Sequence, residues 1–285
     1  MTQFNIAGIQ LDASATENSG KMSNQVDIAC ARFPSIEMIV FGELCTFGTR
    51  LENAQPKGGP AEIHFCALAK KHGIWLIPGS MYELCGDQIF NSAVVINPAG
   101  EIVTRCRKLF PFEPFERGIT GGDEFTTFEV PGVGIFGVSI CYDMWFPETT
   151  RTLVAKGAEI VIHPTLTNTL DREVELSIAR ANAAINQCYF FDINNTGELG
   201  YGRSIIASPE GKTLHQAGRG QELMPVNVDF ELVRRVRENG SLGLGQLLKS
   251  FRDAKLSYPV YEGDCSSMPG FSNLGPLEPH KRPIR

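Results

Sequence analysis

Short apolar runs alternate with amphipathic stretches through the first two-thirds of the chain. Residues 4–11 form a compact apolar strand signal, and the weak helical period over residues 21–32 predicts a helix. Met38–Phe41 reads as a buried strand that ends in Gly42-Glu43. Residues 61–72 then predict a helix and 74–78 a strand. This order of strand, helix, strand, helix, strand implies helices packed on a sheet. Two later stretches share a hairpin form, with strands either side of turn residues. The first joins 89–96 to 101–106 through Asn97-Pro98-Ala99-Gly100, and the second joins 204–207 to 212–215 through Ser208-Pro209-Glu210-Gly211. Their likeness suggests a pseudo-repeated, two-sheet architecture. Between them lie strand signals at 134–140, 160–163 and 188–193 and helix signals at 147–156 and 171–187, followed by a last helix at 230–237. Beyond Glu238 the chain turns rich in Gly, Ser and Pro and cannot build a core of its own. The organisation expected is a domain over residues 1–237 and an extension over 238–285, either loosely held or packed on a neighbouring subunit.

The chain has 285 residues, 42% of them hydrophobic and 20% charged, the balance of a globular protein. A net charge of −6 argues against a nucleic-acid partner, which a basic face would attract. No apolar run is long enough to span a bilayer, so no membrane partner is expected. The N-terminal MTQFNIAGIQLDAS lacks a basic leader and an apolar core, which points to the cytoplasm. In that reducing compartment the eight cysteines are expected to be thiols. There is no CxxC, and the five histidines show no ligand spacing, so no structural zinc site is expected; a hydrolase that works through a thiol requires neither a metal nor an organic cofactor.

One cysteine stands apart. In GVSICYDMWFPE a buried strand ends at Cys141 and a turn leads into a helix, which puts the sulfur at a cleft. The other seven read as small buried hydrophobes. A thiol hydrolase needs a base and an oxyanion donor. His163 sits within a strand, ahead of Pro164, and reads as a core or supporting residue. Glu43, at the end of MIVF, is an acid at a strand end, where partial desolvation suits proton transfer. Lys108 lies in RKLFPFEPFERG in apolar company, with Glu116 eight residues on. Taken singly, each of these could be a loop carboxylate, a snorkelling lysine or an exposed acid.

Together, FGEL, CRKLFP and SICYDMWFPE resemble the nitrilase superfamily of carbon–nitrogen hydrolases, whose triad runs Glu, Lys, Cys in that order. The resemblance covers most of the chain, to about residue 230. The segment holding Lys108, Pro111, Pro114, Glu116, Gly121 and Gly122 is similar to the aliphatic amidase and formamidase branch. CYDMWFPE looks more like the carbamoyl-amine and omega-amide hydrolases: Tyr142 stands where the former branch has a second acid, and Ile185 where many relatives have a glutamate.

The resemblance implies an α/β fold, a four-layer α-β-β-α sandwich of two mixed sheets flanked by helices, in a homo-oligomer whose C-terminal segment reaches a neighbour. It implies hydrolysis of a small carboxamide, formamide-sized to short aliphatic or omega-carboxylated. Glu43 would be the base, Cys141 the nucleophile, Lys108 the oxyanion donor with the Tyr142 N–H, and Glu116 a support for the lysine or substrate. Tyr142 and Trp145 would line the pocket, Trp145 with an equal claim to the core. Asp143 and Glu148 would orient the turn and cap the following helix. A nitrilase, a carbamoyl-amine hydrolase, an acyltransferase and a catalytically silent binding member are the alternatives.

Overall fold

The computed structural model describes residues 2–113 and 115–277; Met1, Pro114 and residues 278–285, His280 among them, lie outside the described residues. Strand Met38–Phe41 shows how the layers arise. All four of its residues are apolar and buried. Met38 and Val40 face a core between two sheets, while Ile39 and Phe41 face a core beneath helices. A strand covered on both faces loses its polar alternation and reads as a continuous apolar run. Ile160 and Ile162 likewise face the inter-sheet core, with Val161 beneath helices on the far side. The result is the α-β-β-α sandwich of two mixed sheets.

Among the described residues, the first sheet has Met38–Phe41 between parallel neighbours Gln3–Gln10 and Trp75–Ile77, with antiparallel Gln88–Ile96 beyond. Helices Ser19–Arg32 and Pro60–His72 cover it. The former buries Met22, Val26 and Ala29 at helical spacing. The latter opens on Pro60 and stops at left-handed Gly73, whose N–H returns to Ala69 O. In the second sheet Gly134–Val138, Ile160–Thr165 and Tyr189–Asn194 run parallel, under helices Pro147–Ala155 and Arg172–Asn186. Each large side chain withdrawn into these cores contributes about 1.5–3 kcal/mol.

The two expected hairpins are present, and they turn by the same means. Asn97 Oδ1 accepts from the N–H groups of Ala99 and Glu101, and Ser208 Oγ from those of Glu210 and Lys212. Both close on a glycine of positive φ, Gly100 and Gly211.

Besides three two-residue strands, three longer ones had no clear sequence signal. Glu222–Asp229 contains Pro225 and polar residues because it is an edge strand. Ser80–Cys85 carries Glu83, a buried carboxylate paired with Arg105 and Arg107. Thr126–Val130 is the far edge of the second sheet.

The extension is not featureless either. It forms helix Leu247–Asp253, which rests on this chain's own helices through Leu248 and through Arg151 over the Phe251 ring. Tyr261 Oη donates to Glu148 at 2.7 Å. Glu148 therefore receives the extension instead of capping its helix, which has no side-chain cap.

Candidate active site

Three strand ends converge where the two sheets meet. Glu43 leaves the first sheet just after Phe41, yet the second sheet fixes its backbone. Its N–H donates to Thr165 O at 3.1 Å, and its carbonyl accepts from Asn195 Nδ2 at 2.7 Å. Behind it, left-handed Gly79 passes so close to the Gly42 carbonyl that no Cβ could fit.

Lys108 follows strand Ile102–Arg107. Its N–H donates to Asn91 O and its carbonyl accepts from Gly122 N, each at 2.8 Å. Gly122 must be glycine for this approach, since a Cβ there would lie 2.6 Å from Arg107 O.

Cys141 follows strand Gly134–Val138 and opens the short helix Cys141–Trp145 with φ 47°. A non-glycine residue in that region costs about 1–3 kcal/mol, and here the turn aims the thiol into a cavity. Asp143 holds this turn to the lysine segment. Its Oδ2 accepts from Ile140 N at 2.9 Å, and its Oδ1 from Leu109 N and Phe110 N at 3.0 and 2.9 Å.

The side chains meet in a buried charge cluster. Lys108 Nζ lies 2.8 Å from Glu43 Oε1 and 2.7 Å from Glu116 Oε2. Asn91 Nδ2 donates to both carboxylates at 2.7 Å, and Phe112 N donates to Glu116 Oε2 at 2.7 Å. Lys108, Glu43 and Glu116 are 1%, 2% and 4% exposed, so two buried acids share one ammonium.

Burial raises the Glu43 carboxyl above the ordinary range; Lys108 opposes this and Glu116 reinforces it. Burial alone would lower Lys108, but the negative charges around it, with Glu43 and Glu116 in direct contact, outweigh it and hold the ammonium well above its usual range. Burial, then the charge of Glu43, keeps Cys141 protonated against the pull of Lys108. A resting thiol beside a carboxylate of raised affinity for protons can react only by handing its proton over. Burial likewise drives His163 down to about 3, so it is neutral; its Nδ1 meets Ser139 Oγ at 2.8 Å.

Removing Lys108 strands two buried carboxylates. Lys108→Ala is expected to cost about 3–5 kcal/mol, measured by urea denaturation. The Glu43 carboxyl, raised by burial and by the charge of Glu116, then loses the ammonium that opposes both, so stability is retained in acid and lost as pH rises. The deficit should be larger at about pH 8 than at about pH 5. Equal deficits at both would mean that the acids are not left ionised together.

The cavity around Cys141 has a volume of about 200 Å³ and is lined by Glu43, Lys108, Glu116, Tyr142, Trp145 and Phe112, together with residues 166–169, Asp171 and Glu175. It is smaller than the roughly 300–1,000 Å³ of pockets for drug-sized ligands. All six site residues expected from sequence are thus brought together. Trp145 serves both its readings: it lines the cavity and also packs on the core beneath helices Pro147–Ala155 and Arg172–Asn186. Trp145→Ala should therefore cost about 1–3 kcal/mol, less than a fully buried aromatic, and enlarge the cavity toward longer acyl groups. An unchanged acyl-length preference would assign it to the core alone. Sequence reading missed Asn91, Asp171 and Glu175. Asn91 did leave a trace as a polar residue inside the apolar strand QIFNSAVVI.

A strand-end thiol, a buried carboxylate and a clamped ammonium on a two-sheet sandwich define a class of thiol-bearing hydrolase site. The carbon–nitrogen hydrolase model matches residues 3–238, and the chain belongs to that family, within the nitrilase superfamily. It is 28% identical over 264 residues to an omega-amidase of Saccharomyces cerevisiae, covering 83% of this chain and 90% of that one. It is 28% identical over 264 residues to a formamidase of Bacillus cereus, covering 86% and 79%. The crystal structure of Saccharomyces cerevisiae Nit3 superimposes with a TM-score of 0.77 at 27% identity, over 83% of this chain and 94% of that one.

Proposed function

We propose that this protein hydrolyses a short carboxamide to the carboxylic acid and ammonia through a thioester on Cys141. The observation that carries this reading is the Lys108 ammonium clamped between Glu43 and Glu116 in the cavity that holds the Cys141 thiol. Relatives named as an omega-amidase and a formamidase favour an amide over a nitrile.

Glu43 takes the thiol proton as sulfur attacks the amide carbon. The oxyanion forms against Lys108 Nζ and the Tyr142 N–H, which has no acceptor in the first turn of its helix. Glu43 returns the proton to the departing nitrogen, and ammonia leaves the thioester. Water then attacks, giving its proton to Glu43, and the carboxylic acid departs as the thiol re-forms. Glu116 and Asn91 hold Lys108 and Glu43 in place throughout.

Hydroxylamine tests the thioester. Incubated with enzyme and a small amide, it should intercept the acyl group as a hydroxamate, read as its coloured iron complex. Amide cleavage with no hydroxamate at any hydroxylamine concentration would count against covalent catalysis.

The eight free cysteines suit a reducing cytoplasm. The extension carries Leu244, Leu256 and Leu274 at 79%, 71% and 69% exposure, apolar surface that a second copy would cover. Truncation near Gly263 should weaken a homo-oligomer in light scattering. A full-length protein that is monomeric at micromolar concentration would end this part of the proposal.

A further inference from the structure

The charges around the cavity are one-sided. Four carboxylates line it, Glu43, Glu116, Asp171 and Glu175, against the single ammonium of Lys108, which two of them already hold. Two arginines stand beside the cavity, paired with other groups. Arg172 is buried and committed to Glu175, Asp192 and the Arg203 carbonyl, and Arg203 itself pairs with Glu173. Neither of them lines the cavity.

Asp171 stands at the start of helix Arg172–Asn186 but makes no side-chain cap there. It accepts from Thr169 Oγ1, and no Lys, Arg or His pairs with it among the described residues. Glu175 lies close enough to the thiol to act on its charge and reaches Trp145 Nε1 at 3.5 Å. Tyr142 and Trp145 also line the cavity.

We infer that this cavity accepts amides whose far end is cationic or neutral and rejects those ending in a carboxylate, and that Asp171 is the residue that reads the far end. The inference rests on amide hydrolysis at Cys141 and narrows it. A carboxylate brought here would lose its water and meet Asp171, which has no basic partner among the described residues, and Glu175, whose partner Arg172 is shared with Asp192. An ammonium would meet Asp171 and aromatic faces, both of which attract it.

Three amides of similar length test this: 4-aminobutyramide, butyramide and succinamate, compared by kcat/KM. The cationic and neutral amides are expected to exceed succinamate by about tenfold or more. Asp171→Asn should lower the cationic-to-anionic ratio by about three- to tenfold, and Asp171→Lys should lower it further. Succinamate cleaved as well as butyramide by the unaltered enzyme, or a ratio unmoved in both variants, overturns the inference.

Thiol labelling separates this failure from failure of the hydrolytic reading. Methanethiosulfonates bearing trimethylammonium-ethyl, ethyl or sulfonatoethyl groups should label Cys141, followed by peptide mass, fastest for the cation and slowest for the anion. If no amide is cleaved, the hydrolytic reading falls and takes the substrate assignment with it, and the labelling order still reports the sign of the cavity. Equal labelling by cation and anion, each corrected for its rate with a free thiol, contradicts that sign.

Discussion

Cys141→Ala is expected to fold as the parent does and to lose amide hydrolysis by about 10⁴-fold or more, because no other group can form the acyl intermediate. The side chain is 7% exposed and packs at the edge of the inter-sheet core, so the lost sulfur leaves only a small void. The left-handed backbone at this position tolerates Ala no worse than Cys. Unfolding midpoints should therefore agree within experimental scatter while ammonia release vanishes. Alkylation of the parent should inactivate it in step with one equivalent at Cys141, whatever the modification of exposed Cys85. Buried Cys45 and Cys188, each pushed up to about 12 by burial, should stay thiol and unlabelled. Inactivation that tracks either of these, with Cys141 free, would remove the nucleophile from the proposal.

Glu43→Gln separates catalysis from stability in the opposite sense to Lys108→Ala. It removes one of two negative charges facing one ammonium and leaves Lys108 paired with Glu116 alone. The cluster loses its excess charge, and Gln retains an oxygen that can accept from Lys108 or Asn91. Stability should hold or rise, while turnover falls about 10²–10⁴-fold for want of a proton acceptor. Combined with Cys141→Ala, it should add almost nothing, because the two groups act in one step. Near-parental kcat in Glu43→Gln, measured across the pH range, would move the base elsewhere in the cavity.

Much of this site was legible because its residues sit at ends of strands that the chain marks plainly. Met38–Phe41 announces itself as apolar on both faces, and the residue two beyond it is Glu43. The turns at Asn97–Gly100 and Ser208–Gly211 carry their own hydrogen-bonding chemistry, so the hairpins could be read locally. What stayed hidden was polar residues that are buried with partners. Glu83 looked unlike a strand residue until Arg105 and Arg107 were placed beside it. Asn91 looked like an interruption until two carboxylates were found on its amide, one of them 48 residues away. The extension looked empty because its Gly, Ser and Pro content masked a short helical period at Leu244, Leu247, Leu248 and Phe251.

The sequence by itself determined the order of the layers and the three strand ends that carry acid, base and thiol, since burial on both faces and turn chemistry are local properties of the chain. The tertiary structure alone decided the charge balance. Lys108 gains its two acids across separations of 65 and 8 residues, and Asp171 and Glu175 join the same cavity from the start of a helix in the other half of the sandwich. Which carboxylates share an ammonium, and which remain facing a substrate, depends on how two sheets meet, and no local pattern encodes that meeting.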